Sequence, residues 1–135
     1  MREEKLEYIR NWIFRAREDL SVIESLEKSG LEFYTSTICF HSQQAVEKYL
    51  KSFLILHDID FPKTHDVDYL LSECKKIDEE NFDLDLKSLT EFGVSVRYPD
   101  DFYIPGVKET NEYIEIAEEV KYTVESLLKS VLDEK

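Results

Sequence analysis

Residues 37–57, Thr37-Ile-Cys-Phe-His-Ser-Gln-Gln-Ala-Val-Glu-Lys-Tyr-Leu-Lys-Ser-Phe-Leu-Ile-Leu-His57, contain no Gly and no Pro. Nothing in them interrupts a helix, and the spacing of their apolar positions asks for one. With 3.6 residues per turn, Ile38, Cys39, Ala45, Val46, Tyr49, Leu50, Phe53 and Leu56 gather on one broad arc. His41, Gln44, Lys48 and Lys51 fall together on the opposite side. A core-facing stripe accounts for the first set. It does not account for a row of long hydrogen-bonding side chains in the second, where a solvated surface would mix Glu with Lys. Ser42 and Gln43 lie at the edge of the apolar arc, so their polar atoms need partners. This stretch is the expected spine of the fold and one wall of any site.

The flanking chain follows the same rhythm. Over 3–28, Leu6, Ile9, Ile13, Ala16, Leu20 and Ile23 recur at steps of three and four, a seam for lengthwise packing. Tyr8 and Trp12 border it, and Arg10, Arg15, Arg17 and Glu18 lie away from it as a solvated face. Gly30 can take the left-handed conformation that ends the helix. Pro62 disfavours helix at Phe61. Thr64 or Asp66 then caps a short helix bearing Val67, Leu70, Leu71, Cys74 and Ile77. After a polar break at 78–81, Asp83 or Asp85 is read as the cap of a further helix with Leu86, Leu89, Phe92, Gly93 and Val96. A last long helix, about 108–132, carries Tyr113, Ala117, Val120, Val124, Leu127 and Val131. The expectation is a single all-α domain over 1–135: an antiparallel, up-and-down bundle of four-helix type, with three long helices and two short ones.

Composition narrows the function. Three Gly and three Pro in 135 residues suit helices better than turn-rich sheets. No apolar run is long enough to span a bilayer, and the N-terminal residues lack an apolar signal core, so the chain reads as cytoplasmic. Cys39 and Cys74 are then two reduced core thiols. The net charge of −13 is uneven: residues 1–76 carry 11 basic and 14 acidic side chains, residues 77–135 carry 6 and 16. A field of that sign opposes loose association with nucleic-acid backbone, so RNA is disfavoured and any nucleotide contact needs a local cluster of cations. Cys39 and His41 project about 200° apart on a helix, and there is no HxxxH or CxxC pair. No metal and no cofactor is expected.

Three blocks together resemble a known family. Cys39-Phe-His-Ser-Gln-Gln-Ala-Val-Glu-Lys-Tyr-Leu-Lys51, Phe61-Pro-Lys-Thr-His65 with Val67 and Leu70, and Val96-Arg-Tyr-Pro-Asp100 are similar, in order and spacing, to the HEPN domain (higher eukaryotes and prokaryotes nucleotide-binding). The resemblance implies a helical bundle, often dimeric, similar to the C-terminal domain of kanamycin nucleotidyltransferase. It also implies a frequent partner, a separate minimal nucleotidyltransferase chain. Many members are toxins or ribonucleases whose motif is an Arg followed, four to six residues on, by a His. The Arg maps onto Arg97. Positions 102–104 hold Phe102, Tyr103 and Ile104, and no His follows His65. Ribonuclease chemistry needs a group that exchanges protons near neutral pH, which an unperturbed Tyr does not.

The resulting expectation is a non-catalytic nucleotide-binding or nucleotidyltransferase-partner module, dimeric. His41, Gln44, Lys48 and Lys51 on the spine, with Arg97, line a cleft for a phosphate-bearing ligand, and Tyr98 and Tyr103 stack on a base or a partner. Two rivals stand beside it. One is a ribonuclease toxin using Arg97 with an atypical partner such as Tyr103 or His41. The other is an assembly subunit whose polar stripe is buried between copies.

Overall fold

The computed structural model describes residues 2–93 and 103–132. Its order is α1 (Glu3–Gly30), a 3₁₀ turn (Leu31–Phe33), α2 (Thr35–Leu56), α3 (Val67–Ile77), a 3₁₀ turn (Leu89–Phe92), α4 (Val107–Leu127) and α5 (Lys129–Leu132). The all-α expectation holds: the described residues form three long helices and two short ones, of which α3 was expected and α5 was not.

Helix α1 buries Ile9, Ile13, Ala16 and Ile23, the seam read from the sequence. It stops because Gly30 sits at φ +122°, where a Cβ would meet the Phe33 ring at 2.8 Å. The chain then tightens into the 3₁₀ turn, and α2 starts at Thr35. Helix α2 is the spine. It packs against α1, α3, α4 and the second 3₁₀ turn, and α1 and α4 meet chiefly across it. Being surrounded, it buries polar residues too: Ser42, Gln43, Glu47, Lys51 and Ser52.

Contacts fix the directions of the helices. Asp19 meets His41 and Lys5 meets Asp58, so α1 runs antiparallel to α2. Cys39 lies against Thr110 and Tyr49 against Glu125, so α4 runs in the same sense as α2. Cys74 reaches the Leu50 carbonyl while His65 lies beside Gln43, which gives α3 that sense as well. Non-helical chain makes the return stroke between α2 and α3, through 57–66.

Asp66 caps α3, accepting from the Tyr69 amide at 3.1 Å, as its position before the apolar run suggested. The helix expected from Leu86 is, as far as Gly93, only the 3₁₀ turn Leu89–Phe92. Asp85 Oδ1 accepts from the Lys87 amide and Lys87 sits at φ +52°, a local turn that competes with helix nucleation. Leu86, Leu89 and Phe92 still enter the core. Both cysteines are free and buried, and burial pushes the Cys39 thiol up to about 11.

A buckle joins the long helices. Arg17 grips Glu125 through two 2.9 Å bonds, and the buried Tyr49 hydroxyl donates to the same carboxylate at 2.7 Å. Burial would raise the Glu125 carboxyl, but the Arg17 and Tyr49 bonds prevail and hold it below the usual carboxylate value. Arg17 is exposed, as expected of a solvated face, and also ties α1 to α4.

Candidate functional site

Between α1, α2 and the segment before α3 lies an open cleft of about 560 Å³, within the size range of small-ligand sites. Helix α1 lines it with Tyr8, Asn11, Trp12 and Arg15, one helical face at steps of three, one and three. Helix α2 contributes Glu47, Lys48 and Lys51, and the segment before α3 adds Lys63, Thr64 and His65. Four cations and one carboxylate line the cleft, and Asp19 and Glu18 pair with Lys48 and Arg15 from just outside it, in a chain of net charge −13. Tyr8 and Trp12 meet edge to face, with ring centroids 6.3 Å apart.

Two buried carboxylates organise the polar side of α2. Glu47, 4% exposed, accepts from Lys51 Nζ at 2.8 Å through one oxygen and from His65 Nδ1 at 2.9 Å through the other. Lys51 also stands over the Trp12 and Phe61 rings, at 5.4 and 5.6 Å from their centroids. Gln43 donates to the His65 carbonyl at 2.6 Å, and Gln44 donates to Gln43 Oε1 at 2.7 Å. The segment carrying Lys63 and Thr64 is thereby hung on α2. Asp19 of α1, 7% exposed, takes His41 Nδ1 at 2.8 Å on one oxygen and Lys48 Nζ on the other.

The sequence-derived stripe is thus one assembly, but its members are engaged with carboxylates and amides of the protein itself. Lys48 and Lys51 line the cleft. His41 stands beside Lys48 on the shared Asp19, and Gln44 braces Gln43. Tyr103 is apart: its hydroxyl donates to Glu109 at 2.6 Å, at the α4 N-terminal end. That bond raises the phenol further above its ordinary value. Arg97 and Tyr98 lie outside the described residues.

Sequence reasoning missed Asp19, Glu47, and the α1 wall of Asn11 and Arg15. Signals existed: Gln43, Glu47 and Lys51 are spaced by four, and Glu before Lys at that spacing pairs on a helix. Asp19 falls three residues after Ala16 and four before Ile23, on the seam itself.

Trp12 is the single tryptophan of the chain. Among the described residues its buried Nε1 has no hydrogen-bond partner, and neither does Ser42 Oγ. Among the described residues no cluster of three His, Cys, Asp or Glu side chains is placed to hold a metal ion. No described helix is long and apolar enough to cross a membrane.

The HEPN domain model matches residues 9–129. A protein of Methanocaldococcus jannaschii named "Putative toxin MJ1304" is 33% identical over 138 residues, covering 95% of this chain and 88% of that one. No solved structure matches the chain.

Proposed function

Because the chain belongs to the HEPN family, we propose that it is a ligand-binding module of that family. Its ligand is a nucleotide or another phosphate-bearing molecule held in the α1–α2 cleft. The observation that carries this reading is the concentration of Arg15, Lys48, Lys51 and Lys63 around Tyr8 and Trp12 in an otherwise acidic molecule. Cations supply phosphate contacts, and aromatic faces accept a base. Arg15 and Lys63 are the exposed cations at the mouth. Lys48 and Lys51 are set in place by Asp19 and Glu47. A homodimer and a separate minimal nucleotidyltransferase chain are the partners that accompany this reading.

Trp12 reports on the site without a label. Titrating ATP and AMP while following tryptophan fluorescence gives saturable quenching on this reading. Arg15→Ala with Lys63→Ala, both exposed, lowers the affinity by about tenfold or more, since each charge-assisted bond contributes about 1.5–3 kcal/mol. Unchanged affinity in that double variant refutes the site. A second reading joins the word toxin in the archaeal relative's name to the family resemblance: a ribonuclease toxin using Arg97 with an atypical partner. It requires RNA cleavage that Arg97→Ala abolishes.

A further inference from the structure

The third wall of the cleft belongs to the non-helical run 57–66, which is tied at both ends and free between them. At the near end the Ile59 amide donates to the Leu54 carbonyl at 3.0 Å, and Lys5 Nζ donates to Asp58 Oδ1 at 2.9 Å. At the far end the ties converge on His65. Gln43 Nε2 donates to its carbonyl at 2.6 Å, the Thr90 hydroxyl donates to the same oxygen at 3.4 Å, and its ring bonds Glu47 at 2.9 Å. Gly93 closes over this knot: a Cβ there would stand 2.9 Å from Gln43 Nε2 and 3.2 Å from His65 Cβ.

Between the two ends, residues 60–64 make no backbone–backbone hydrogen bond among the described residues. Their amides and carbonyls are left to water, so displacing them breaks no bond of the fold. Phe61 packs against the core and stands 5.6 Å from Lys51 Nζ, which is itself 5.4 Å from the Trp12 ring. Lys63 lines the cleft, is exposed, and has no ion-pair partner among the described residues.

The opposite walls are built differently. Helices α1 and α2 pack on one another, and Lys48 and Lys51 are held by Asp19 and Glu47. A ligand cannot draw those walls inward without breaking buried pairs. The stretch 60–64 can move at little enthalpic cost, and it carries an unpaired cation. We propose that residues 60–64 are a strap that closes over the cleft when an anionic ligand binds, with Phe61 as pivot and Lys63 as latch; this rests on the cleft being the ligand site. Closure costs backbone freedom, and Pro62 limits that cost by fixing its own φ. The pivot touches the cation that stands over Trp12, so closure also changes the surroundings of the indole.

The test is amide hydrogen exchange on the full chain, free and with ATP, with Trp12 fluorescence followed on the same samples. In the free protein the amides of residues 60, 61, 63 and 64 are expected to exchange faster than that of Ile59, and saturating ATP to slow them by about tenfold or more. Lys63→Gln removes the latch: affinity falls by about tenfold, and saturating ATP no longer protects 60–64. Lys63→Arg restores both. Pro62→Gly adds freedom that closure must remove, and lowers affinity by about two- to fivefold with the cations intact. Amides of 60–64 as slow in the free protein as that of Ile59 overturn the strap. Quenching of Trp12 without protection of 60–64, or protection undiminished in Lys63→Gln, overturns closure and leaves the ligand site standing. Neither quenching nor protection with ATP overturns the ligand site and the strap together.

Discussion

The Glu47–Lys51 pair offers the sharpest test of how the spine is held. Glu47→Leu would leave the Lys51 ammonium, whose side chain is 7% exposed, between the Trp12 and Phe61 rings with no carboxylate. Removing one partner of a buried pair costs about 3–5 kcal/mol, because the remaining charge keeps its desolvation cost. Against a total stability of about 5–15 kcal/mol this is large. It corresponds to a fall in Tm on the order of 10–15 °C for a domain of this size. Lys51→Met is milder, about 1–3 kcal/mol, since Glu47 keeps the His65 and Gln43 bonds. The double variant Glu47→Leu with Lys51→Met restores an apolar contact of similar volume and is expected to recover most of the loss. Urea unfolding followed by circular dichroism gives all four corners of the cycle, and equal m-values validate the comparison. Additive single effects, or a Glu47→Leu cost below about 1 kcal/mol, would refute the argument that this is a desolvated and coupled pair.

Ser42→Ala removes a fully buried hydroxyl with no partner among the described residues, so it is expected to be neutral or stabilising in the same urea assay. A loss above about 1 kcal/mol would show that the hydroxyl is satisfied. At Gly93 an added Cβ would meet Gln43 Nε2 at 2.9 Å and His65 Cβ at 3.2 Å. Gly93→Ala should therefore cost about 1–3 kcal/mol and speed amide exchange around 63–66, where Gln43 ties the chain to α2. Glu125 has its carboxyl lowered in the folded state, so its stabilisation is complete above its ordinary value of 4.5 and is lost as pH falls through the folded value. Arg17→Met removes a bond that does the lowering. The variant is expected to lose less stability than the parent between about pH 5 and about pH 3, and parallel acid limbs in thermal melts would count against this.

The helices were legible because their signals are local. Ile9, Ile13, Ala16 and Ile23 repeat along one strip of α1, and Asp66 announces α3 by standing before Val67. The region after Asp83 misled for a related reason. Leu86, Leu89 and Phe92 have helical spacing, but spacing reports which residues enter the core and not the backbone that delivers them there. The Asp85 side chain captures the Lys87 amide and diverts the chain into a turn. The site was half legible in the same sense. A helical wheel puts His41, Gln44, Lys48 and Lys51 on one side of α2, yet it carries no information on what that side faces. Asp19 lies 29 residues from Lys48 in the chain, and His65 lies 18 from Glu47; such pairings belong to the tertiary fold.

What those pairings do to the cleft follows from entropy. A lysine ordered by its ligand loses rotamer freedom on binding, which offsets part of each contact it makes. Lys48 and Lys51 are already fixed by Asp19 and Glu47, at side-chain exposures of 17% and 7%. A ligand meeting them gains less new charge interaction, since each is partly neutralised, but orders nothing further. Arg15 and Lys63 are the reverse case: exposed, paired among the described residues only through the surface Arg15–Glu18 bridge, and costly to order. On the proposed reading the cleft divides its labour, with Lys48 and Lys51 held in place as a floor and Arg15 and Lys63 as an exposed rim. Charge removal at the rim should weaken binding in a salt-dependent way, whereas substitution of Lys48 should disturb the placement of His41 through their shared Asp19.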